Sequence, residues 1–191
     1  MRELAWQMPA WALTLMPVRL ARQCLNERAS TAATATMAAT AHTPARQLLV
    51  DVSVIHQSDA RTGIQRVVRA LLLQLLQTPP AGYRVCPIFA ARQHGYRYAA
   101  PGFLDAPASM PNAAAQPVQV QSGDLFLGLD LAAHLLPRHQ TQVRQWKRSG
   151  VKVHVLVYDL LPLQHPEWFN PGTTRNFKRW IKWLAVYADS A

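Results

Sequence analysis

The chain has two cysteines in 191 residues, Cys24 and Cys86, so a disulfide framework is excluded and nothing in the sequence requires an oxidising compartment. No stretch reaches the roughly 18 uninterrupted apolar residues of a membrane-spanning helix. Leu4 to Val18 comes nearest, but Gln7, Pro9 and Pro17 interrupt it, and Glu3 cancels Arg2, so the charged flank of a signal peptide is missing too. Glycine is scarce, 8 residues, and neither G-x-G-x-x-G nor G-x-x-x-x-G-K-[ST] occurs, which argues against ordinary dinucleotide and P-loop sites. Acids are few as well. Ten Asp and Glu face twenty Lys and Arg, and residues 131–191 hold nine basic residues against three acids. Such a field suits polyphosphate, nucleic acid or an anionic membrane surface equally.

What is present is a hydrophobic half, 50% of the residues, enough for one domain with a single core. Residues 1–46 read as a flexible tail or linker, since Ala29 to Ala41 is almost only Ala, Thr and Ser. Order begins at Gln47. Gln47 to Ile55 is β-rich and apolar enough for a strand buried on both faces. Thr62 and Gln65 have the spacing of a capping box, and Ile64, Val67, Val68, Leu71, Leu72 and Leu75 then recur at helical spacing up to Pro79. Tyr83–Phe89 is a second strand with Tyr96–Tyr98 as a short hairpin partner. Pro101, Pro107, Pro111 and Pro117 mark a long surface loop. Asp124–Leu129 is a third strand, and Pro137 opens a helix that runs to Ser149 and stops at Gly150. Val151–Val157 is a fourth strand. Asn170-Pro171 starts a final helix with Phe177, Trp180, Ile181, Leu184 and Tyr187 as its apolar stripe. The order predicts an α/β fold with a Rossmann-like, doubly wound, mostly parallel sheet over residues 47–191. A further strand is due where the chain stops at Ala191, so the sequence reads as the amino-terminal piece of something longer.

In such sheets ligands bind beyond the carboxyl ends of the strands. After the first strand stand Asp59, Thr62, Gly63 and Arg66, where a helix amino terminus and a guanidinium suit phosphate; the competing reading is a capped helix with an exposed Arg. The third strand ends at Asp130, either a cap for the next segment or a catalytic acid. After the fourth come Asp159 and His165, the types that orient or deprotonate a hydroxyl, although a His beside Pro and near Trp168 suits loop packing equally. Arg175, Lys178, Arg179 and Lys182 form a basic face with Trp180 and Trp183 beside them, either a solvated face or a membrane-surface helix. No metal site is expected.

Val50-Asp-Val-Ser53 followed by Asp59–Arg69, then Gly123–Asp130, then Val157–Pro162 with His165–Phe169, resembles the amino-terminal domain of group 1 glycosyltransferases over about residues 47–191. The resemblance implies a retaining, metal-independent enzyme of the GT-B fold, mannosyl- or rhamnosyltransferase-like, active in bacterial polysaccharide assembly. It implies a nucleotide-sugar donor, a saccharide or lipid-linked acceptor, and no cofactor. It puts Gly63 and Arg66 near the sugar diphosphate, and Asp159 and His165 near the acceptor. The family's usual glycine pair is reduced here to Gly63, and its donor domain with the paired-glutamate motif lies beyond Ala191, so the fragment is expected to lack turnover alone. A cytoplasmic location follows, with peripheral contact at the inner face of the membrane. The alternative is a non-catalytic basic Rossmann-like module for nucleic acid or an anionic membrane. The base-stacking aromatics and basic groove of a nucleic-acid binder are missing outside residues 175–183, which argues against nucleic acid.

Overall fold

Alternation along the first strand decides which layers form. In the computed structural model, which describes residues 45–105 and 115–191, β1 (Arg46–Asp51) buries every residue after Arg46. Leu49 joins one core cluster, and Leu48 and Val50 join the other. A strand buried on both faces belongs at the centre of a sheet covered by helices on each side. β1 occupies that place. It pairs in parallel with β2 (Tyr83–Phe89) on one side and β4 (Leu125–Gly128) on the other, and β4 pairs in parallel with β5 (Lys152–Val155). The two-residue β3 (Arg97–Tyr98) closes the β2 edge antiparallel, giving the order β3-β2-β1-β4-β5. The fold is the expected α/β, mostly parallel and Rossmann-like. The expected tail lies outside the described residues except for Ala45 and Arg46, and Arg46 already belongs to the sheet.

β1 stops earlier than the apolar run suggests. Val52 leaves the extended region (φ −126°, ψ 29°), and Ser53–Gln57 forms a short helix, α1, instead of prolonging the strand to Ile55. The cause is polar. The Asp51 carboxylate accepts from Ser53 N (2.9 Å) and Ser53 Oγ (2.5 Å), turning the backbone, and the Asp130 carboxylate then takes the N–H groups of Val54 and Ile55, both at 2.8 Å. Free N–H groups at a helix start need such acceptors.

α2 (Gly63–Gln77) begins where Thr62 and Gln65 predict, with Thr62 N donating to Gln65 Oε1 at 3.1 Å. Its inward face is narrower than the sequence stripe. Val68 and Leu72 are fully buried, whereas Val67 and Leu71 are 44% and 40% exposed, because one helix resting on one sheet face covers only the residues nearest that face. Leu136–His139 makes a single 3-10 turn, with Pro137 at its start, that leads into α3 (Gln140–Arg148). Gly150, at φ +90°, ends that run as expected, since a left-handed residue there suits glycine.

After β5 come α4 (Leu161–Gln164), a 3-10 turn at Pro166–Trp168, and α5 (Pro171–Tyr187), whose Asn170 side chain accepts from Thr173 N at 2.8 Å. Phe177, Trp180, Trp183, Leu184 and Tyr187 of α5 pack with Val143 and Trp146 of α3 beneath Leu49, Ile88 and Phe126 of the sheet. The proline-marked loop is only partly a surface loop: residues 106–114 lie outside the described set, but Val118 is in the core and Pro117 bridges Arg97. Beside β5, Ser190 forms a parallel bridge with His154, the position where the sequence calls for a further strand.

Candidate functional site

With β2 and β4 on opposite sides of β1, the chain direction out of the sheet reverses at the carboxyl end of β1, where open α/β sheets carry their ligands. Two carboxyls sit under this crevice. Asp51 is fully buried at the end of β1, and besides Ser53 it accepts from Tyr96 Oη at 2.8 Å. Ser53 Oγ in turn accepts from Ala90 N at 2.9 Å, so one network ties the ends of β1 and β2 together. Asp130, 1% exposed, ties β4 to α1. Removal from water pushes the Asp51 carboxyl up to about 7, Ser53 holding it back and the neighbouring Asp130 charge adding to the rise. Burial raises Asp130 as well, against the Ile55 and Val54 N–H groups, and carries the Tyr96 phenol well above its ordinary value. Asp130 therefore caps a helix 75 residues upstream in addition to taking a backbone hydrogen bond from Leu131 in the segment after it. Asp51, Ser53 and Tyr96 are not among the sequence-selected residues. Their one signal is a charged residue inside an otherwise apolar strand.

The loop after α1 is built by its own side chains. Asp59 Oδ2 accepts from Arg69 Nη2 at 2.5 Å, and Oδ1 accepts from Arg61 N at 3.1 Å, which holds Arg61 at φ +54°. The Arg69 hydrogen bond is also what lowers the Asp59 carboxyl. Asp59 is thereby a fastener of the loop. Arg66 is exposed beside it and donates Nε to Arg61 O at 3.1 Å. Gly63 opens α2, and a Cβ there would meet nothing within 4 Å, so folding does not demand glycine at this point. Thr62, Gly63 and Arg66 lie together at one exposed helix start, as the sequence predicts.

Asp159 and His165 share the loop after β5, but among the described residues no hydrogen bond joins them. Asp159 Oδ1 accepts from Leu161 N at 3.0 Å and starts α4. The His165 ring stacks on Trp168 at 4.0 Å and 9°, and its Nδ1 lies 3.1 Å from Glu167 Oε1. A carboxylate only accepts, so Nδ1 is the donor in that contact. The pair is exposed, 45% and 62%, so it orients the ring more than it stabilises the fold. Glu167 is a second residue that sequence reasoning left out.

A third group lies beyond β2. The His56 ring stacks on Phe89 at 3.7 Å, His94 meets Phe89 edge-on, and His139 Nε2 lies 2.9 Å from Ala91 O. Burial lowers His56 and His139, with the His94 charge adding to both. An open groove of about 440 Å³ is lined here by His94, Arg97, Arg138, His139 and Gln142, with Tyr96 leading back to Asp51. These residues are far apart in sequence, and no local pattern announces them. Among the described residues no group of three or more His, Cys, Asp or Glu is arranged to hold a metal ion.

The basic face of α5 borders an open groove with Pro166 and Phe169 of the loop after β5. Arg175, Lys178, Arg179 and Lys182 are exposed, as the sequence predicts. Trp180 and Trp183 are not surface residues: both are 0% exposed within the core, because they share the inward stripe with Phe177, Leu184 and Tyr187. They cannot sit at a headgroup level.

Over 144 residues, 75% of this chain, the sequence is 40% identical to the serotype-specific mannosyltransferase WbdA of Escherichia coli. The chain is similar to a mannosyltransferase. Two further Escherichia coli proteins of the same name are 39% identical over the same length. The chain spans only 17–18% of the length of these curated relatives. No family model matches, and no solved structure matches. The similarity agrees with the resemblance carried by the strand-end motifs, and it supports a glycosyltransferase relationship on this one domain.

Proposed function

We propose that this chain is the acceptor-side domain of a glycosyltransferase of GT-B architecture that moves a hexose, mannose in the first instance, from a nucleotide sugar to a polysaccharide or lipid-linked saccharide. The observation that carries the proposal is 40% identity to a mannosyltransferase over 75% of a chain whose polar side chains gather at the carboxyl edge of a Rossmann-like sheet. Asp159 and the Glu167-oriented His165 hydrogen-bond acceptor hydroxyls, and the α2 start with Gly63 and Arg66 lies against the donor diphosphate. Asp51, with Tyr96 against it, Asp130 and Asp59 hold the segment between β1 and α2 that leads to Gly63 and Arg66. The donor's remaining contacts come from chain outside these residues, in keeping with relatives several times longer. No metal takes part in this reading.

The test is transfer of labelled mannose from its nucleotide sugar to an oligosaccharide acceptor by the protein that carries this domain, with and without His165→Ala and Arg66→Ala. His165→Ala raises the acceptor KM and leaves the donor KM in place. Arg66→Ala does the reverse, through charge-assisted bonds worth about 1.5–3 kcal/mol. Absence of any sugar transfer, or both variants acting on the same KM, refutes the assignment.

A further inference from the structure

Sugar transfer as proposed leaves the groove beyond β2 unused. It opens beside β3, the sheet edge opposite β5 and the loop that carries Asp159 and His165. Three separate segments converge on it: His94 and Arg97 from the β2–β3 connection, Arg138 and His139 from the 3-10 turn, and Gln142 from α3. Their charge is one-sided. Among the described residues no acid lines the groove. Arg97 donates Nη1 to Ala115 O at 3.2 Å and Arg138 donates Nε to His134 O at 3.1 Å, and neither guanidinium has an acidic partner there. Burial first, then positive neighbours that include Arg138, lower His134 and His139. Cations gathered in this way repel one another, so folding gains nothing from their convergence.

The neutral donors are set in place as well. Gln142 Oε1 accepts from Tyr96 N at 2.9 Å, so the amide NH2 is the end left for a ligand. A Cβ on Gly95 would stand 2.5 Å from that Oε1, and the flexible amide would have to move aside. His139 Nε2 and His94 Nδ1 donate to the carbonyls of Ala91 and Gly95 at 2.9 and 3.1 Å, which leaves the second nitrogen of each ring for a ligand.

Two guanidinium groups match a phosphomonoester, whose charge is about −2 near neutral pH, better than a singly charged carboxylate. A bare phosphate would give Thr141 and Gln145, which also line the groove of about 440 Å³, nothing to bind. Hydroxyls would.

We propose that the groove between the β2–β3 connection and the start of α3 binds a sugar phosphate, with Arg97 and Arg138 on the phosphate and His94, His139 and the Gln142 amide on hydroxyls. The site stands apart from the glycosyltransferase reading, and its test involves no sugar transfer.

The 191-residue chain is titrated calorimetrically with mannose 6-phosphate, inorganic phosphate and mannose. Mannose 6-phosphate should bind, inorganic phosphate should bind more weakly, and mannose should show no binding. Arg97→Gln and Arg138→Gln should each weaken mannose 6-phosphate about tenfold or more, through loss of a charge-assisted hydrogen bond. Gly95→Ala, which displaces the Gln142 amide, should weaken it several-fold with an unchanged near-UV circular dichroism spectrum. Lys152→Gln, an exposed cation on β5, should leave it unchanged. Arg138 is exposed, so Arg138→Gln with Gly95→Ala decides the matter if Arg97→Gln fails to fold. The proposal is overturned if mannose 6-phosphate does not bind at millimolar concentration, or if mannose or inorganic phosphate binds equally well. It is equally overturned if Lys152→Gln costs as much as the groove variants, or if Arg66→Ala abolishes binding while Arg138→Gln and Gly95→Ala keep it, which would place the phosphate at the start of α2.

Discussion

Replacing Asp51 with Asn separates one buried charge from everything else that titrates. Its carboxyl moves from an ordinary 3.8 to about 7 on folding, chiefly because burial removes it from water. An acid whose value is raised contributes its stability below the unfolded value and loses it as pH rises through the folded one. Three units at about 1.4 kcal/mol each put the loss near 4 kcal/mol between pH 4 and pH 8. Asp130, also raised, acts in the same direction. The lowered His56, His134 and His139 act oppositely, since their stability is present above 6.5 and lost as pH falls. The lowered Asp59 matters only below about pH 4, and its partly exposed pair with Arg69 is worth little. The parent's own pH curve is therefore a sum of opposed slopes. The difference between parent and Asp51→Asn isolates Asp51. Asn keeps an acceptor for Ser53 and loses one for the Tyr96 hydroxyl, a constant penalty of about 1–3 kcal/mol. Urea unfolding at pH 4.5, 6 and 8 should show the variant less stable at the lowest pH and gaining on the parent by several kcal/mol at the highest. A stability difference that does not change with pH means that Asp51 does not titrate as a desolvated acid, and refutes its raised value.

Gly63→Ala should fold and gain about 0.4–1 kcal/mol, because the added methyl meets no atom within 4 Å, yet it should raise the donor KM if a diphosphate approaches that backbone; thermal unfolding and transfer kinetics check the two halves separately. Leu72→Ala should cost about 2–5 kcal/mol and Leu71→Ala no more than about 0.5, by urea unfolding, since only Leu72 is buried.

The elements of the sheet are legible in the sequence because burial on both faces leaves continuous apolar runs, and strand follows helix in an order with few topologies. Strand ends are less so. Ile55 looks like strand until Asp130, distant in sequence, claims the N–H groups before it. The helix stripe of α2 misleads at Val67 and Leu71 because periodicity reports which side is apolar, not how wide the covering surface is. Residues placed just after a strand are recoverable by position: Gly63 and Arg66 lie at the helix start that follows β1 and α1, and Asp159 and His165 in the loop after β5. The groups that support them are not. Tyr96 reaches Asp51 across 45 residues, and the His94 and His139 groove is assembled from the segment after β2 and from the 3-10 turn and first residues of α3.

Saturation-transfer NMR of this chain with an oligomannoside asks whether the loop after β5 holds an acceptor saccharide. Transfer to the saccharide is expected, undiminished by soluble anions, falling sharply in Asp159→Ala and His165→Ala and persisting in Lys152→Glu. Undetectable transfer at millimolar saccharide, or transfer indifferent to Asp159 and His165, contradicts the assignment of this domain to the acceptor side.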